Sequence, residues 1–201
     1  IPVYWEQMEP VEGQFDFSPV DDLIMRARAE GISLVLLWFG TWKNGDMDYV
    51  PAWVKTDPAR FRRVTSSTGK MVWVLSSHCP ANFEADCAAF VALCRHLAEF
   101  DAVERTVIAL QVENEPGILA SDRDYHPDAQ AVFDAPVPPE LMAALQGAGR
   151  GPVYDLWQRA GGRVGSWPET LGPAAGELMT AWSIATYIDG IAAAGKAVYD
   201  I

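Results

Sequence analysis

Asn114-Glu115-Pro116 lies one residue beyond the run from Thr106 to Val112. That run is almost wholly apolar or β-branched, as a strand buried on both faces requires, so Glu115 is expected at the carboxyl end of a strand. A carboxyl group there suits the cleavage of a glycoside. One carboxylic acid protonates the leaving oxygen, and in a retaining reaction a second carboxylate about 5–5.5 Å away is the nucleophile. The acid must hold its proton near neutral pH, so its surroundings must raise its pKa. Glu115, at a buried strand end near other acids, is expected in such surroundings. Asn114 is placed to bond a sugar 2-hydroxyl. Strict alternation would send Asn114 and Glu115 to opposite faces, and a bend at Pro116-Gly117 is expected to bring both to one ligand.

Two other segments end in the same style. One closes on Tyr4-Trp5-Glu6, the other on Trp38-Phe39-Gly40-Thr41-Trp42-Lys43-Asn44. In parallel α/β folds, ligands sit at the carboxyl ends of the strands. Carboxylates and amides bond hydroxyls there, and indoles stack on the apolar faces of pyranose rings. Glu6, Trp42, Lys43, Asn44 and Glu113 are therefore expected sugar contacts. Glu113 also reads as a buried polar partner. Trp5 and Trp38 read as core residues of buried strands, with a site role as the alternative, and Trp157 and Trp167 as packing within a loop subdomain, with the lining of an outer subsite as the alternative.

The elements that must position these residues follow in order. Val3 to Glu6 is a strand end. Ser18-Pro19 with Asp21 and Asp22 starts a helix that Gly31 closes, with Ser18 as N-cap. Ile32 to Trp38 is a buried strand, followed by a long loop from Phe39 to about residue 57. A helix is expected over residues 84–99, where Phe90, Leu93, Cys94 and Leu97 recur at helical spacing. The strand 106–112 comes next. Residues 117–172, rich in Gly, Pro and Asp, read as an insertion with helical pieces at 138–145 and 153–160. A last helix runs over about 174–194. Alternating strands and helices mean a parallel sheet with right-handed crossovers. Both a doubly wound sheet and a barrel meet this order. No Gly-rich phosphate loop follows any strand, which counts against a dinucleotide fold, and the chemistry at the strand ends favours the barrel.

Composition narrows the partners. Of the 201 residues, half are hydrophobic and 21% are charged, and the net charge is -12. With Lys and Arg scattered, neither nucleic acid nor an anionic membrane is an expected partner. Cys79, Cys87 and Cys94 have no zinc or redox spacing and read as small buried hydrophobes. His78, His96 and His126 form no ligand set, so no metal is expected, and glycoside hydrolysis by two carboxyl groups calls for no cofactor. Ile1 to Trp5 read as the middle of a strand, and Lys196 to Ile201 stop where another is due. Further sequence is therefore expected at both ends.

Together these motifs resemble clan A glycoside hydrolases. Gln111-Val112-Glu113-Asn114-Glu115-Pro116-Gly117 is similar to the fourth-strand signature of that clan, most of all to family 35 β-galactosidases. Val3-Tyr4-Trp5-Glu6, Glu9-Pro10 and Glu12-Gly13-Gln14-Phe15-Asp16-Phe17 resemble the second-strand segment of families 35 and 42. The stretch from Leu36 to Gly45 resembles a bacterial branch of family 35. Pro116 departs from the Tyr or Ile more usual in family 35. The resemblance implies a fragment of a (β/α)₈ TIM barrel, about strands two to four, with a long insertion after strand four. It also implies a retaining hydrolase of β-glycosides, β-galactosides first, with Glu115 as general acid/base and a nucleophilic Glu on strand seven, beyond this chain. Mannosides, glucosides and xylosides are the alternative substrates. A dead barrel that only binds carbohydrate is the alternative outside the enzymes.

Overall fold

The computed structural model describes residues 1–201. Its strands are β1 (Pro2–Tyr4), β2 (Leu34–Lys43), β3 (Arg63–Thr65), β4 (Met71–Leu75) and β5 (Val107–Asn114). The helices are α1 (Trp5–Met8), α2 (Ser18–Ala29), α3 (Ala52–Lys55), α4 (Pro80–Phe100), α5 (Pro127–Asp134), α6 (Pro139–Ala148), α7 (Pro152–Arg159), α8 (Trp167–Leu171) and α9 (Ala175–Lys196). The chain divides into two compact units. The first comprises Ile1–Arg63, Trp73–Gly117 and Ile184–Ile201, and the second Val64–Val72 and Ile118–Ser183.

The first unit is built on a three-stranded parallel sheet of order β1-β2-β5. Val3 pairs with Trp38, which pairs in turn with Val112. The crossovers carry α2 and α4, as parallel strands demand. One face of β2 is sealed: Leu36 and Trp38 are buried, and the Trp38 ring lies 5.8 Å from that of Phe90 on α4. On the other face Val35 is 42% exposed. The sheet is an open arc, not a closed barrel. Helix α2 buries Val20, Ile24 and Ala27 at helical spacing. Its start differs from expectation. Ser18 is the first helical residue, and Asp16 Oδ1 accepts both the Ser18 N–H at 3.0 Å and the Ser18 hydroxyl at 2.7 Å. Helix α4 begins at Pro80, four residues before the expected start, because Pro80 fits the first helical turn. The hairpin of β3 and β4 went unread because β3 has only three residues.

The second unit has its own core of Val137, Met142, Leu145, Trp157, Trp167, Leu171, Ala175 and Met179. Trp157 and Trp167 are core residues of it. Ser166 and Glu169 form a capping box at the head of α8. The unit extends past residue 172 because Ala175 and Met179, in the first turns of α9, complete that core.

Candidate active site

The candidate site lies at the carboxyl ends of β2 and β5. From Val35 the two strands pair in register as far as Trp38 and Val112, and pairing resumes at Lys43 and Asn114. Residues 39–42 on one strand thus face Glu113 alone on the other, an extended bulge. A bulge strands backbone N–H groups that the ladder would have used. Here the Glu113 carboxyl takes them. Oε1 accepts from the Thr41 N–H at 2.9 Å and Oε2 from the Trp42 N–H at 2.7 Å.

Asp86 reaches the same place from α4. Its Oδ1 accepts from Trp38 Nε1 at 2.8 Å, and its Oδ2 accepts from the Thr41 hydroxyl at 2.7 Å and the Thr41 N–H at 3.1 Å. The hydroxyls of Thr41 and Tyr187 are 2.8 Å apart. A Cβ on Gly40 would fall 2.5 Å from both Asp86 Oδ1 and Glu113 Oε1, and 2.4 Å from Trp38 Nε1, so only glycine fits there. Burial pushes the Glu113 carboxyl well above the usual range, and the neighbouring Asp86 adds to this. Burial, then Asp86 and Glu113, push the Tyr187 phenol up as well.

Glu115 occupies the opposite environment. Its side chain is 60% exposed, and its Oε2 pairs with the Lys43 ammonium. The burial expected of Glu115 belongs to Glu113 instead. Both residues have left-handed backbone, φ 63° at Glu113 and φ 51° at Glu115. Such values are uncommon outside glycine and cluster at functional sites. The strand therefore turns at these two residues, ahead of the expected bend at Pro116-Gly117. Asn114, between them, is half-buried, and its Oδ1 accepts from Gln111 Nε2 at 2.8 Å.

The end of β2 folds back to meet Glu115. Lys43 and Asp46 exchange two backbone hydrogen bonds of 3.0 Å around Asn44-Gly45, whose φ angles are 56° and 69°. This two-residue hairpin turn suits Asn-Gly because both positions need positive φ. The Gly45 N–H then donates to the Glu115 carbonyl at 2.9 Å. Lys43 Nζ bridges Asn44 Oδ1 and Glu115 Oε2.

Of the residues expected at a sugar, Lys43, Asn44, Asn114 and Glu115 come together on one surface. Glu6 lies in an adjoining cluster, where its Oε2 accepts from Lys55 Nζ at 2.9 Å and its N–H donates to Tyr49 O at 3.0 Å. Two expectations are corrected. Glu113 is 2% exposed, with both oxygens committed to backbone amides, and Trp42 is 1% exposed, with its ring 4.8 Å from that of Tyr187. Neither presents a face to a ligand. Trp5 and Trp38 are core. Asp86, Thr41, Gly40 and Tyr187 were not singled out from the sequence. Asp86 had a readable signal: with Asn82, Phe90, Leu93 and Leu97 it lies on the buried stripe of α4, and a carboxylate on an apolar stripe needs a partner.

Comparison with known proteins bears on the family and the fold. The family model of glycoside hydrolase family 42, described as β-galactosidase, matches residues 2–149. A β-galactosidase of Xanthomonas manihotis is 30% identical over 139 residues, covering 65% of this chain and 21% of its own length. The crystal structure of the β-galactosidase from Bacillus circulans sp. alkalophilus matches 98% of this chain and 30% of its own, with a TM-score of 0.62 and 15% identity. The polyextremophilic β-galactosidase from the Antarctic haloarchaeon Halorubrum lacusprofundi matches 97% of this chain and 29% of its own, with a TM-score of 0.63 and 18% identity. The chain thus shares the fold of TIM-barrel enzymes and spans under a third of the length of each relative. The resemblance drawn from the sequence holds at the level of clan A β-galactosidase-like proteins; the matching model is that of family 42, not family 35.

Proposed function

The chain belongs to glycoside hydrolase family 42, and from that premise we propose that the protein is a retaining β-galactosidase with Glu115 as general acid/base. Strands β1, β2 and β5 are then strands two to four of the barrel. The observation that carries the assignment is the Glu115 carboxyl itself. It is exposed beyond the end of β5, its backbone is tied to Gly45, and the ammonium of Lys43 and the amide of Asn44 lie beside it.

In the first step Glu115 protonates the glycosidic oxygen as the bond to the anomeric carbon breaks. In the second it deprotonates the water that releases the sugar from the enzyme. The nucleophile is a second carboxylate from a part of the barrel that this chain does not span. With its Oδ1 held by Gln111, Asn114 offers its amide N–H to the sugar 2-hydroxyl. Lys43 orients Glu115, and Asn44 and Glu6 supply further hydroxyl contacts. The galactoside preference rests on the relatives, all three of which are described as β-galactosidases.

The test is Glu115→Gln in the full-length gene product. Removing a general acid typically costs about 10²–10⁴-fold, so turnover of a galactose disaccharide should fall by that much. A dinitrophenyl galactoside, whose leaving group needs no proton, should keep a faster first step and accumulate glycosyl-enzyme. Near wild-type turnover of the disaccharide would overturn the assignment. A wild-type protein that binds galactosides and hydrolyses none would leave a carbohydrate-binding barrel.

A further inference from the structure

Glu113 and Asp86 come from different elements, β5 and α4, and both are sealed from solvent at 2% and 0% exposure. They converge on Thr41, whose N–H is shared between Glu113 Oε1 at 2.9 Å and Asp86 Oδ2 at 3.1 Å. The surrounding donors are the Thr41 hydroxyl, the Trp42 N–H, the Trp38 indole N–H and the Tyr187 hydroxyl. None of them is a cation. The titratable group facing the pair from α9 is Tyr187. The charged group at the end of β2, Lys43, is directed to Glu115 and Asn44. Two negative charges in so dry a place, with no cation between them, cannot both persist.

We propose that Glu113 keeps a proton beside Asp86 and acts as the positioning residue for Glu115. The inference rests on the reading of Glu115 as general acid/base. Glu113 governs Glu115 from two sides. Along β5 it lies two residues ahead, and its left-handed backbone begins the turn that Glu115 completes. Across the sheet its carboxyl closes the bulge at Thr41 and Trp42, and so sets where Lys43 starts the turn that reaches the Glu115 backbone and carboxyl. It touches no reacting atom. Loss of the Glu113 proton would put two repelling charges inside the bulge, open it, and let the acid drift from the leaving oxygen.

The experiment uses the full-length protein with Glu113→Gln and Asp86→Asn, and Glu115→Gln as reference. Turnover is measured across pH on an alkyl galactoside, a poor leaving group, and on a dinitrophenyl galactoside, a good one. A misplaced catalytic group costs on the order of 10²-fold. Each variant of the pair should therefore lower kcat/KM for the alkyl substrate by about 10–100-fold while changing kcat/KM for the dinitrophenyl substrate, which reports the first step alone, by less than about 3-fold. The alkaline limb of the wild-type kcat profile should move in both variants. A merely structural role would lower both substrates in equal proportion and leave the profile in place, and that result would overturn the proposal. Should Glu113→Gln not fold, Asp86→Asn carries the same comparison. If Glu115→Gln shows the leaving-group dependence and neither pair variant does, the positioning role fails and the acid/base stands. If Glu115→Gln also lacks it, both fail.

Discussion

Glu113 and Glu115 stand two residues apart with the same left-handed backbone, and their carboxyl groups go to opposite environments. One is buried against two main-chain amides, the other exposed beside an ammonium. A regular strand would place both on one face, since residues i and i+2 share it. The change of backbone at Glu113 makes the two identical side chains different chemical objects.

Gly40→Ala should be among the most damaging small substitutions in the chain. The added methyl would meet two carboxyl oxygens and an indole nitrogen at 2.4–2.5 Å. Overpacking of this kind costs about 1–3 kcal/mol, occasionally more. The check is the urea midpoint of unfolding. A midpoint unchanged from wild type would mean that the carboxyl pair is not packed as described.

Glu113 gives stability a definite pH dependence. Its folded-state pKa is raised, whereas in the unfolded chain it titrates near the ordinary Glu value of about 4.3. Between those values the folded protein binds more protons than the unfolded one. The contribution is complete below about 4.3 and is lost as pH climbs through the raised value. Urea midpoints of wild type and Glu113→Gln, taken from pH 4.5 upward, should show a steeper decline for the wild type. Parallel curves would argue against a protonated Glu113.

Trp42→Ala separates two roles for one residue. As a sugar platform, Trp42 would raise KM on truncation and leave stability alone. As the buried partner of Tyr187, it should cost about 3–5 kcal/mol in stability. Denaturant unfolding with a galactoside KM on the same preparation decides, and a rise in KM at wild-type stability would restore the platform.

Lys43→Met should do the reverse. The pair it forms with Glu115 is more than half exposed on the carboxylate side, and such pairs contribute at most about 1 kcal/mol. Thermal stability should barely move. Turnover of a galactoside should drop about tenfold or more, because Glu115 loses the contact that orients it. A loss of stability with full turnover would make Lys43 a structural residue.

The sequence was informative wherever a residue's role followed from its own strand or helix. The apolar runs marked β2 and β5, cap residues marked α2, helical spacing marked α4, and the ends of two strands offered Glu115, Asn114, Lys43 and Asn44 as candidates. What escaped were roles fixed by partners far away. Alternation cannot announce that Glu113 turns inward, because the cause is a bulge in β2. Trp42 was read by its residue type, and its burial depends on Tyr187, more than a hundred residues later. Gly40 looked like a loop glycine until Asp86 and Glu113 were seen to fill the space beside it.

Those separations also bear on how the site comes to exist. Thr41 bonds Glu113 across 72 residues, Asp86 across 45 and Tyr187 across 146, and Lys43 reaches Glu115 across 72. Each contact closes a long loop, and loop closure must be met before such contacts reward it. No short peptide spanning Asn114 and Glu115 can retain their geometry. The acid at the end of β5 is what it is only with α4, the end of β2 and the far half of α9 all in place, so a change in any of these distant segments reaches the site.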